Sequence, residues 1–178
     1  MNINLIKKEN HESILHCLVI IMYQRTVIPN RTLEPKVKEQ LILALRIQTQ
    51  VIKSCHDFLY KNGLIQLMPV IVSPITDPLS HSVYEAQINY LEQELHLTKS
   101  MIFHKQIAIA ELGVKGIYIV SPNIRLEKGN LKKSKKHLLE FSQLDIELKE
   151  VSAKEFMSFT EDLLFYVISN IESYIKMI

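Results

Sequence analysis

Gly116–Glu147, GIYIVSPNIRLEKGNLKKSKKHLLEFSQLDIE, is the stretch that decides the fold. Two alternating segments flank a lysine-rich turn. In the first, about Ile117 to Glu127, the even positions Tyr118, Val120, Pro122, Ile124 and Leu126 are apolar. Its odd positions end in Ser121, Asn123, Arg125 and Glu127. In the second, about Leu138 to Leu148, the odd positions carry Phe141, Gln143, Asp145 and Glu147, and the even ones Leu144, Ile146 and Leu148. Strand side chains alternate faces, so the pattern predicts a half-buried hairpin with an apolar back and one chemical face. With Arg125 opposite Phe141, Asn123 faces Gln143 and Ser121 faces Asp145. An antiparallel sheet with one wet face accounts for the alternation alone. The residue types argue for a ligand, because a merely solvated face has no need of a phenylalanine among its charges.

The strings SPNIRLEK and KHLLEFSQLDIE resemble motif 2 of the class II aminoacyl-tRNA synthetases, in the aspartate and asparagine branch. That branch has a PxFRxE strand, a charged loop, then RHxxEFxxLDxE. Content, order and spacing all agree. The wording SPNIRLE is similar to the archaeal asparaginyl-tRNA synthetase-related proteins, which resemble asparagine synthetases that activate aspartate with ATP. The fold implied is α+β, an antiparallel β-sheet flanked by helices, forming part of a class II catalytic core.

Activating a carboxylate with ATP needs fixed positive charge at the α-phosphate, a grip on the base and a grip on the amino acid. By resemblance, Arg125 is the catalytic candidate, neutralising the α-phosphate. Glu127 selects adenine, Phe141 stacks on the purine, and His137 with the lysine loop approaches the β and γ phosphates. Asp145 pairs with the substrate ammonium, Gln143 orients its carboxylate, Lys105 holds its side chain, and Ser100 lies at the pocket edge. The residue types suit these tasks independently: an arginine for phosphate, an aromatic for a base, a carboxylate for an amine.

Outward from the hairpin, Val37–Asn62 has Val37, Leu41, Leu45, Ile52, Cys55 and Leu59 at helical spacing, with Gly63 as a stop. The predicted helix is about 39 Å long. LIQLMPVIVSP, Leu64–Pro74, then reads as a strand. Helix, glycine and a strand containing Pro69 resemble motif 1, which implies a homodimer through Val37–Pro74. ITDPLSHS, Ile75–Ser82, is a turn-rich loop, and it lacks the Gly-rich acidic signature of the related synthetases. Val83–Tyr90 and Glu94–Leu97 predict a hairpin turning at Leu91–Gln93. Ser100–Leu112 predicts a helix resembling SPQLxKQ, with Ile102 where the synthetases have Gln. Lysines 128, 132, 133, 135 and 136 crowd the motif 2 loop, and Lys136 stands where the family has Arg, a point charge in place of a fork. Ser152 with Glu155 forms a capping box for a closing helix, Ser152–Met177.

The composition narrows the classes. A chain of 178 residues with 47% hydrophobic content has the size and core of one domain. A net charge of +2 does not by itself point to nucleic acid. Cys17 and Cys55 show no metal or redox spacing, which suits a reducing cytoplasm. The seven histidines make no HxH or HExxH pattern, so no metal site is expected. No apolar run reaches the roughly 18 residues a membrane span needs. ILHCLVIIM, Ile14–Met22, reads as a buried strand or short helix.

Residues 1–36 are therefore read as an N-terminal extension of unknown role. Residues 37–178 are read as the N-terminal half of a class II synthetase-like catalytic domain. Glycines stand at 63, 113, 116 and 129, and none begins the GxGxxR of motif 3. The resemblance places that motif, and the Mg2+ ligands near it, in a second chain or domain. The function implied is binding of ATP and aspartate and, when complete, formation of aspartyl-adenylate for asparagine synthesis. The alternatives are an asparaginyl- or aspartyl-tRNA synthetase fragment that aminoacylates tRNA, which is not favoured, or a non-catalytic dimerising regulatory paralogue.

Overall fold

The computed structural model describes residues 34–77, 79–129 and 137–178. The apolar run Ile14–Met22, Cys17, most of the N-terminal extension and lysines 132, 133, 135 and 136 lie outside them. The chain divides into two compact units, residues 1–55 with 165–178, and residues 56–164. Within the first, residues 34–55 and 165–178 are described. The second holds every strand found among the described residues.

Helix α1 spans Pro35–Lys61. It begins two residues before the predicted start, because proline suits the first helical position, where its missing N–H costs nothing. It ends as the glycine predicts. Gly63 takes φ +78°, its N–H donates to Tyr60 O, and the Leu64 N–H reaches back to Leu59 O. That bond pair, with Leu64 packed beside Leu59, is a Schellman stop.

The strand predicted over Leu64–Pro74 is not continuous. Ile65–Gln66 forms β1 and Val72–Ser73 forms β2, in different sheets. Pro69 lies between them without an N–H to offer a ladder, so the chain leaves one sheet there and joins another. The predicted hairpin also divides. Val83–Tyr84 (β3) pairs with Leu126–Glu127 (β7). Gln87–Tyr90 (β4) pairs with Gln93–Leu97 (β5). The β4–β5 turn is Leu91–Glu92, both at positive φ, a type I′ turn made without glycine or asparagine.

Helix α2 spans Ile102–Glu111, β6 Gly116–Ile124, β8 Glu140–Leu148 and α3 Ala153–Met177. The central sheet runs β1–β6–β8, with β6–β8 antiparallel and β1 parallel to β6. The fold is α+β, a largely antiparallel core flanked by helices, as the family resemblance implied. Its register differs by two residues from the expected one. Asn123 pairs with Phe141, Ser121 with Gln143 and Ile119 with Asp145.

The even-numbered face packs as predicted. Leu59, Leu64 and Tyr118 form its centre, with Phe58, Leu144, Ile146, Leu148 and Phe159 against them. Phe58 meets Phe159 edge-on, centroids 5.3 Å apart. Gly116 is required at the head of β6. A Cβ there would lie 2.7 Å from Leu148 Cδ2 and 3.1 Å from Glu147 O. The capping box forms as read: the Glu155 carboxylate accepts from Ser152 N–H at 2.7 Å, and Glu155 N–H donates to Ser152 Oγ at 3.3 Å.

Candidate functional site

The odd-numbered face of β6–β8 is not wet. Ile117, Ile119, Ser121 and Asn123 are fully buried, while Phe141, Gln143, Asp145 and Glu147 on β8 are half-buried. The expectation that the first strand is only half-buried is corrected at this point. Both faces of β6 are covered, and the polar groups of the odd face bond to one another. Buried polar groups must find partners, so the face is ordered by a ladder of side-chain bonds.

The ladder runs diagonally across the two strands. Ser121 Oγ donates to Asp145 Oδ2 at 3.2 Å. Asn123 Nδ2 donates to Gln143 Oε1 at 2.9 Å. The Arg125 guanidinium carbon lies 5.1 Å from the centre of the Phe141 ring, within cation–π range. These are the three pairs expected from the sequence, reached by side chains stepping two residues along rather than by facing positions. Diagonal neighbours of that kind stay within reach of long side chains.

Helix α2 lays Lys105 on the lower rungs. Its ammonium is 3.0 Å from Glu147 Oε1 and 3.5 Å from Asp145 Oδ1, with the lysine side chain 7% exposed. Lys105 is therefore no surface lysine. It is one cation between two carboxylates, leaving the trio one negative charge in excess.

Arg125 is also aimed by its surroundings. Its Nε–H donates to the backbone oxygen of Lys99 at 3.2 Å. Lys99 is itself buried and bonds both oxygens of Glu85, at 3.0 and 3.1 Å. Ile124 N–H bonds to Thr98 O, so the segment before α2 is stitched beside the end of β6.

Other expected residues are occupied differently. Glu127 is held by His81 Nε2, 3.0 and 3.1 Å from its two oxygens. Lys128 reaches Ser82 Oγ at 2.7 Å and lies over the Tyr84 ring. The loop after Ile75 is thus tied to β7 and the residue that follows it. Ser100 Oγ accepts the Ile102 N–H at 3.3 Å, and the helix N-cap is Met101 rather than Ser100. His137 is exposed just before β8. Lys99, Glu85, His81 and Glu147 were missed as site residues by the sequence reading. Glu147 alone carried a signal, its odd position in β8.

Among the described residues, no group of three or more His, Cys, Asp or Glu is placed to hold a metal ion. No described helix is long and apolar enough to cross a membrane. Burial pushes the Cys55 thiol up to about 11, which leaves it protonated and unreactive near neutral pH.

The sequence matches the family described as tRNA synthetases class II (D, K and N) over residues 24–178. It is 24% identical over 128 residues to the asparagine–tRNA ligase of Thermoplasma acidophilum, covering 71% of this chain and 28% of that protein. It is 28% identical over 144 residues to the aspartate–tRNA(Asp/Asn) ligase of Methanocaldococcus jannaschii, covering 79% and 30%. Among solved structures, asparaginyl-tRNA synthetase from Pyrococcus horikoshii, complexed with asparaginyl-adenylate, superposes with a TM-score of 0.63 at 19% identity. That superposition covers 78% of this chain and 33% of the other. At that identity the likeness shows the fold. This chain spans less than a third of the length of these two curated relatives.

Proposed function

Because the chain belongs to the class II tRNA synthetases of the D, K and N group, we propose that its β6–β8 face binds ATP and aspartate. In the complete enzyme it would form aspartyl-adenylate for asparagine synthesis. Residues 37–178 would supply the motif 1 and motif 2 part of the catalytic domain, with 1–36 an extension. The observation that carries this reading is the placement of Arg125 on Phe141 beside Gln143 and Asp145, on one face of one hairpin.

Each side chain then has a task. In adenylate formation an aspartate carboxylate oxygen bonds to the α-phosphorus and pyrophosphate leaves. Arg125, steered by the Lys99 carbonyl, meets the α-phosphate with its terminal nitrogens. It takes one face of Phe141, and the purine takes the other. Glu127 reads the adenine amino group once His81 yields it, and His137 approaches the outer phosphates. The excess negative charge of Asp145, Glu147 and Lys105 suits the substrate ammonium. Lys105 has three donors and gives two to those carboxylates, so the third serves the aspartate side chain. Gln143 orients the carboxylate, and Ser100 borders the pocket. Mg2+ would accompany ATP.

A homodimer through Val37–Pro74 completes the proposal. Met68, 79% exposed, and the exposed Ile65 and Ile71 give that segment an apolar surface of the kind a second copy covers.

Calorimetric titration with ATP and magnesium, with and without aspartate, tests the reading. Saturable ATP binding is expected, and Phe141→Ala should weaken it about tenfold or more, the worth of one base stack. An absence of ATP binding overturns the nucleotide face. Undiminished binding by Phe141→Ala removes that ring from it.

A further inference from the structure

Among the described residues of the β6–β8 ladder, Asn123 bonds to Gln143 while being itself wholly enclosed and incompletely paired. Its side chain is fully buried. Its Nδ2 donates twice, to Ser121 O at 3.3 Å and to Gln143 Oε1 at 2.9 Å. Its Oδ1 is buried without a hydrogen-bond partner among the described residues.

The orientation of that amide follows from chemistry. A backbone carbonyl only accepts, so the end of Asn123 facing Ser121 O has to be the NH2 group. The same NH2 group then meets Gln143, and the glutamine has to answer with its oxygen. Turning Asn123 over would pair its Oδ1 lone pairs against the Ser121 carbonyl. The unpartnered Oδ1 is the consequence of this arrangement. A buried acceptor left unpaired calls for a reason beyond packing.

We infer that Asn123 is a positioning residue that sets which end of the Gln143 amide the site presents, and so makes the site select a carboxylate over a carboxamide. With Oε1 engaged by Asn123, Gln143 offers its Nε2 hydrogens. Donors suit an anionic oxygen and oppose the NH2 of an amide. Ser121 does the parallel service on the next rung. It donates to Asp145 Oδ2 and so keeps that carboxylate an acceptor for a cation. One buried strand thereby fixes the polarity of two half-buried groups on its neighbour. The inference rests on the proposal that Gln143 meets the substrate carboxylate, and it adds the residue that dictates how.

The test has two arms on the full chain. The first needs no variant and no ligand. In the 15N NMR spectrum, the side-chain NH2 of Asn123 should exchange with solvent about tenfold or more slowly than that of Gln143, since among the described residues only the first donates within the protein. Equal rates, or the reverse order, overturn the inference whatever the ligand is. The second arm uses L-aspartate and L-isoasparagine, its α-carboxamide, each titrated calorimetrically with ATP and magnesium present. Asn123→Leu keeps the volume and removes the NH2 group, so nothing on β6 then fixes which end of the Gln143 amide faces outward. The preference for aspartate over isoasparagine should fall about tenfold, the worth of one such bond, while the double variant with Gln143→Leu shows no further fall. A folded Asn123→Leu with an unchanged preference overturns the inference. Gln143→Leu that binds aspartate as tightly as the parent overturns the underlying reading of Gln143, and the NMR result stands apart from it.

Discussion

The two faces of β6–β8 are both covered, and they are held by opposite means. The even face is closed by Leu59, Leu64 and Tyr118 with the leucines and isoleucine of β8. The odd face is closed by Ser121, Asn123 and Lys105 bonding to Gln143, Asp145 and Glu147. An apolar face is stabilised by area removed from water and tolerates many occupants of the right volume. A polar face in the same position is stabilised through particular hydrogen bonds and ion pairs, and it fixes one geometry. The difference explains how one hairpin can serve as core and as site. The back supplies stability without specificity, and the front supplies orientation at a cost in desolvation that the back offsets.

Two substitutions set these means against each other. Leu59 is fully buried at the centre of the even face, so Leu59→Ala should cost about 4 kcal/mol through lost transfer energy and a cavity. Urea unfolding reads this as a lower midpoint at constant slope. A loss under about 1 kcal/mol would mean that the even face collapses to fill the space, and that it is not the rigid half. Lys105→Met keeps the length of the side chain and removes the charge. It leaves Asp145 and Glu147 half-buried without their cation, which should cost about 3 kcal/mol. The partial exposure of the two carboxylates places this below the leucine. Both carboxylates removed together with the lysine, as Lys105→Met with Asp145→Asn and Glu147→Gln, should recover most of that loss. Failure to recover would show that Lys105 acts through packing of its stem and not through charge.

What was legible in the sequence follows the same division. The even face was read residue by residue, because period-two alternation in Tyr118–Leu126 and Leu144–Leu148 is a local signal. The stop at Gly63 and the cap at Ser152 were legible for the same reason. The β6–β8 register was not. Registers two residues apart keep every side chain on its own face, so alternation cannot separate them. The expected pairs Ser121–Asp145, Asn123–Gln143 and Arg125–Phe141 survived the error because they meet on the diagonal. The two-residue strands β3 and β7 are too short to show a period, and the Leu91–Glu92 turn lacks the residues that announce a type I′ turn. Lys99–Glu85 and His81–Glu127 join residues 14 and 46 positions apart. No spacing rule within one element could have found them. The burial of Ser121 and Asn123 was hidden as well, since polar residue types at odd positions look the same whether water or a helix covers them.

The smallest expected effect lies off both faces and shows what a carboxylate does when neither buried nor surrounded by charge. Glu155 is held below its ordinary carboxylate value by the Ser152 side-chain hydrogen bond first and the backbone bond second. A depressed folded-state pKa stabilises the protein above the unfolded value, and that contribution is lost as pH falls through the folded one. Glu155→Gln keeps an acceptor for Ser152 N–H without a charge. The parent should therefore exceed the variant in urea midpoint at about pH 7 and lose that advantage progressively toward about pH 3. A constant difference across that range would assign the effect to side-chain shape. The converse result would isolate ionisation at an exposed cap, where protonation alone removes the contribution. On the odd face the carboxylates share a buried lysine, so removing that one cation strands two groups at once. The contrast between the cap variant and Lys105→Met would then measure how far enclosure, and not charge alone, binds the odd face into one unit.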